Sequence, residues 1–413
     1  MISPLNISDI VRRLAEFVDD KQFIFFASVS SVWRKAWGRR PTVTSYVTWD
    51  SSVSQLLQSF DYGLPRKGAG VCNAVARVGS LELLQCARAN GCSWNAWTSS
   101  ELAVRGHLSM LRWARVEGCP SDSWTSLGAA FGGHLEVLRW VHEIGFSLNE
   151  GTCSWAARGG SVAVLQWLRA RNCPWDTYTT SAAASEGHLT VLRWAYEHGC
   201  PLDKKTCEAA AKEGHLSVLQ WARSNGCPWD EETCAKAASR GHLEVLQWAR
   251  ENGCPWNKQT CVRAARRGHL NILKWARERR CPWDEFACSA AAVRGHLEVL
   301  RWLRANGCPW NALTCRAAAS GGHLRVLQWA IASGCRVDAC TCTEAAKEGH
   351  LSLLQWARAH GCPWDELTCS AAAGRGHLAV LQWARGNGCP WDPLVCRRVA
   401  SYGRHKHVVE WLK

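Results

Sequence analysis

Long apolar runs are scarce in this 413-residue sequence. The longest, such as Phe23–Val29, fall far short of the roughly 20 residues that a membrane-spanning helix needs, so no membrane partner is expected. The opening Met1–Arg13 lacks a basic start followed by an apolar core, and no secretory signal is expected. Without a route to an oxidising compartment the cysteines read as reduced thiols and the chain as intracellular, cytoplasmic or nuclear. No phosphate-binding glycine loop is present, and no carboxylate pair or nucleophile–base set occurs once in a distinctive setting. The expectation is a non-enzyme with no catalytic residues and no cofactor.

Methionine occurs 2 times, tyrosine 5 and phenylalanine 8, against 26 tryptophans and 23 cysteines. Such skewed usage points to one short unit copied many times. Glycine recurs every 27 residues from Gly79 to Gly403, and one unit spans Asp230 to Trp256. The last unit slips by one residue, setting His405 and Trp411 a position late. Asp or Asn at the Asp230 position is an N-cap for a first helix, A. Gly241 supplies the left-handed residue that ends it. A second helix, B, follows from about Leu243 to Asn252 and ends at Gly253. Asn172 and Arg280 replace that second glycine in two units, and Arg280 marks a weak point. Helix B carries Leu243, Val245, Leu246, Trp248 and Ala249, too much apolar surface for a short helix to bury alone. Stacking on neighbouring units through helix B would bury it, while helix A is thin. The fold class is therefore all-α, a helical-repeat solenoid. Residues 66–413 form about thirteen units, the last incomplete; 41–65 form a linker and degenerate capping helix; 1–40 stand apart.

Cys227, Cys234 and His242 recur together and invite a zinc reading. Packing explains them without metal. Trp229 and Cys234 bracket the N-cap as a hydrophobic staple, and Cys254 packs back after Gly253. With cysteines paired seven residues apart, Cys92 faces Ser99, Cys119 faces Ser126, Phe146 faces Cys153 and Cys173 faces Thr180, so four units lack the pair. No metal site is expected. The histidines after the turn glycine read as turn elements bonding local backbone, and Trp248 reads as core.

At Ala237, Ala238, Gly241, His242, Leu243, Val245 and Leu246 the unit resembles an ankyrin repeat, shortened from about 33 residues. It is most similar to the Trp- and Cys-rich short arrays of large DNA viruses and protists, in which case the compartment would be the host cell's. Residues 1–40 are similar to an F-box, with Pro4, Ile10, Leu14, Phe17, Val18 and Phe26, then Val29, Ser30, Trp33 and Arg34. That resemblance implies a Skp1-like adaptor as partner, docked on Pro4, Ile10, Leu14, Phe17, Val18, Phe26, Val29 and Trp33. It further implies a substrate-recognition role in a cullin-type ubiquitin ligase, with the repeats binding a protein target. A scaffold without a ligase role is the alternative.

Within helix A, two positions vary from unit to unit and are the candidates for target contact. One gives Trp155, Lys236, Arg263, Glu344 and Arg398; the other gives Phe131, Arg158, Lys212, Arg266 and Lys347. Nucleic acid is the rival partner. Of 49 basic and 35 acidic residues, seven and six precede position 65, leaving the repeats an excess of 13 positive charges. Arg223, Arg250, Arg277, Arg304, Arg358 and Arg385 could line helix B as a basic stripe.

Overall fold

The computed structural model describes residues 52–61 and 68–413. Residues 1–40, with every F-box-like candidate, lie outside the described residues. The described chain is an all-helical repeat solenoid of 27 helices without a strand. It divides into two compact bodies between Pro201 and Leu202. A lone helix, Val53–Asp61, buries Leu56 and Phe60 and packs on Leu81–Ala89. From Gly70 to Trp411 the helices come in A–B pairs.

Capping chemistry sets each helix A. The Asp230 carboxylate accepts the Glu232 N–H at 3.0 Å, starting Glu231–Arg240. Asn95 and Asn149 add reciprocal bonds with Thr98 and Thr152. Asp338 makes no such bond and instead pairs with Arg316, whose Nε lies 2.9 Å from the carboxylate. Helix A ends as Gly241 turns left-handed at φ 87°, and helix B runs Leu243–Glu251. In the last unit Gly403 stays at φ −72° and Arg404 takes the left-handed turn at φ 59°, the one-residue slip read in the sequence.

Helix A is the main stacking element, contrary to the expectation drawn for helix B. Within the first body Ala96–Val104 packs closely on Ser123–Phe131, and within the second Glu231–Arg240 packs on Lys258–Arg267. Alanines such as Ala237 and Ala238, both fully buried, let these backbones approach. Helix B lays Val245, Leu246 and Ala249 into the same core. Trp248 is only half-buried. It meets Trp229 edge-on at 5.9 Å, with the Arg223 guanidinium 4.1 Å above Trp229. Trp229 therefore sits in an Arg–Trp–Trp contact, because the last-turn arginine reaches the next turn and covers the indole face.

The cysteines also pair differently. The turn after helix B folds back over the start of its own helix A, so partners lie 20 residues apart, not seven. Ser99 donates to the Cys119 sulfur at 3.3 Å, and the Cys227 thiol donates to the Asp203 carbonyl at 3.0 Å. All 23 cysteines are free thiols, and only Cys86 and Cys340 are not fully buried. Burial, above all, pushes Cys72, Cys200 and Cys342 up to about 12, which keeps them protonated at neutral pH. Among the described residues no group of three or more His, Cys, Asp or Glu could hold a metal ion. No helix among them is long and apolar enough to cross a membrane.

The histidines link units rather than bonding their own turn. The His269 ring lies over Gly241, where an added Cβ would come within 2.8 Å of it. The bond runs to the end of the preceding unit's helix A: His188 Nε2 lies 3.1 Å from the Arg158 carbonyl oxygen, and His350 Nε2 lies 3.2 Å from that of Ser320.

Candidate functional site

Stacking buries one side of each helix A and leaves the opposite side as a continuous face within each body. Three positions reach it, two, six and nine residues after the N-cap. The second and third are the positions singled out in the sequence. The first was missed there, and it holds the most exposed apolar side chains. Trp97, Trp124 and Tyr178 are 51%, 48% and 58% exposed in the first body. Phe286, Leu367 and Leu394 occupy the same position in the second, all exposed. Exposed large apolar groups aligned on one face mark interaction surfaces, whereas scattered ones do not.

In the first body the candidates Phe131, Trp155 and Arg158 come together. Trp155 meets Trp124 at 5.7 Å and Phe131 at 5.6 Å, both edge-to-face. The Arg158 guanidinium sits 5.6 Å from the Trp155 ring and pairs with Glu186 at 3.1 Å. Glu101, buried on the same face, pairs with Arg77 at 2.9 Å.

In the second body the face carries ion pairs and charged side chains in both its earlier and its later units. Lys212 pairs with Glu213 at 2.6 Å, Arg263 with Glu232 at 2.8 Å, and Lys347 with Glu344 at 3.3 Å. Lys236 is half-buried, while Arg266 and Arg398 are exposed. These candidates are spread over five units and form no single cluster.

The helix B arginines are not a free basic stripe. Arg223, Arg250, Arg304 and Arg358 each donate to the carbonyl of the turn cysteine four residues on, and each guanidinium covers a tryptophan. Arg277 and Arg385 lie over Trp283 and Trp391 in the same way. Each of the six guanidinium groups thus covers a tryptophan ring, and four of them also hold the following turn.

The family model described as ankyrin repeats (many copies) matches residues 234–277 and 288–331. Those stretches lie in the second body, and the same helix pair continues on both sides of them. Among solved structures, the crystal structure of the human ASB11 ankyrin repeat domain is similar at 16% identity with a TM-score of 0.33. That match covers 38% of this chain and 84% of that one. No curated protein matches the sequence.

Proposed function

We propose that the chain is a non-catalytic protein-binding adaptor whose helix A faces hold the target. The observation that carries this reading is that exposed, unit-specific side chains occupy one register of helix A in each body, Trp97 to Tyr178 in the first and Phe286 to Leu394 in the second. The ankyrin-type match supports it, since repeat stacks of this kind offer extended surfaces with side chains at fixed spacing. The target-contact residues are Phe131, Trp155, Arg158, Lys212, Lys236, Arg263, Arg266, Glu344, Lys347 and Arg398, joined now by Trp97, Trp124 and Tyr178.

Residues 1–40 supply the second half of the proposal. Their F-box-like string would dock a Skp1-type subunit through Leu14 and Phe17, bringing the bound target to a cullin-based ligase inside the cell. A pulldown of the full chain with a Skp1-type subunit tests this. Retention that is lost in the double variant Leu14→Ala, Phe17→Ala is the expected result. No recovery with the parent chain removes the ligase role and leaves the scaffold.

A further inference from the structure

We infer that a peroxide converts the paired thiols within single units to disulfides, clipping helix A to the turn after helix B. The two cysteines stand 20 residues apart, as Cys234 and Cys254 do. Nine units hold both, from Cys72 with Cys92 to Cys369 with Cys389. Seven of them, beginning with Cys207 and Cys227, follow one another without a gap in the second body. In the first body three of five units break the pair, with Ser99 opposite Cys119, Ser126 opposite Phe146 and Thr180 opposite Cys200. Ser99, Ser126 and Thr180 are themselves buried, so packing at this position does not demand a sulfur.

The geometry places the two side chains of a pair against each other. At these two positions Ser99 Oγ lies 3.3 Å from the Cys119 sulfur. The Cys72 and Cys342 sulfurs lie 3.9 Å from the carbonyl oxygens of their partners Cys92 and Cys362. Cys153 shares a side-chain hydrogen bond with Cys173, Cys207 with Cys227, and Cys234 with Cys254. That bond is the largest influence holding Cys173, Cys227, Cys335 and Cys389 below the ordinary thiol value, and a nearby arginine adds to it. Such a pair offers one sulfur favoured as thiolate with a thiol beside it.

The thiolate attacks one oxygen of hydrogen peroxide and the O–O bond breaks. A sulfenic acid forms, and the departing hydroxide takes up the proton that the thiol gave up. The second thiol then attacks that sulfur, the S–O bond breaks, and a second water leaves. Two thiols and one peroxide thus become one disulfide and two waters. Because the pairs are buried, peroxide reaches one when its unit opens, which a stack held by nearest-neighbour contacts allows locally. The link closes a short loop of the unfolded chain and so stabilises the unit. Oxidation therefore stiffens each paired unit of the second body and leaves three units of the first as they were.

The test treats the folded, reduced full chain with hydrogen peroxide, blocks the remaining thiols with iodoacetamide in urea, and maps linked peptides by mass. Free thiols should fall from 23 towards five, since Cys86, Cys119, Cys200, Cys340 and Cys396 have no cysteine opposite. Links should join cysteines 20 residues apart, and the urea midpoint should rise and return with dithiothreitol. Cys234→Ser restores the arrangement of Ser99 and Cys119, so it should remove the link to Cys254 and leave the other eight. Loss of thiol confined to Cys86 and Cys340, the two that are not fully buried, overturns the inference. Links between different units overturn it as well, as does oxygen added to sulfur without links. An unchanged midpoint after linking removes the stiffening.

Discussion

Two positive-φ positions per unit differ in what surrounds them. At Gly241 the left-handed backbone and the His269 ring both exclude a side chain, whereas nothing lies within 4 Å of a Cβ at Gly253. Arg280 stands at the Gly253 position with φ 60° and carries only the backbone cost. Gly241→Ala should therefore destabilise the second body by about 2 kcal/mol or more, and Arg280→Gly should stabilise it by about 1 kcal/mol, both read by urea denaturation. Equal effects at the two positions would mean that the histidine contact is not the distinguishing element. The need for glycine was legible in the 27-residue period. Its second cause was not, because the ring that covers Gly241 belongs to the following unit.

Between units, histidines such as His188 and His350 tie a helix B entry to the helix A of the preceding unit. Burial is the largest influence holding His107, His269 and His323 below the usual 6.5, with neighbouring histidine and arginine cations adding to it. The folded state thus favours the neutral rings, and below about pH 6.5 the unfolded chain binds more protons. Stability should be complete above that value and fall as pH drops through it. Urea midpoints at pH 7.5 and 5.5 check this: the acid midpoint should be the lower, and equal midpoints would show that the rings titrate alike in both states. Helix boundaries were readable from Asp230-type caps because capping is local chemistry. Which helix carries the stacking was not readable, since Ala237 and Ala238 look sparse in sequence and matter by letting backbones approach.

Within the first body the two-residue register of helix A carries Trp97, Trp124 and Tyr178; within the second it runs from Lys205, Glu232 and Gln259 to Phe286, Leu367 and Leu394. The variable positions six and nine residues past the N-cap stood out in sequence, and Phe131, Trp155 and Arg158 do cluster. Trp97, Trp124 and Tyr178 escaped notice because exposure at that register depends on how helix A is rotated in the stack, which no single unit specifies. The interior itself is shared, as Glu231–Arg240, with Ala237 and Ala238 fully buried, packs on the A helices of both neighbouring units, Lys204–Glu213 and Lys258–Arg267. A series of fragments with growing numbers of units, cut from residues 203–413 and compared by urea denaturation, measures that sharing directly. Two-unit fragments should be largely unfolded, with the midpoint and cooperativity rising as units are added. A two-unit fragment as stable as the whole series would contradict the account.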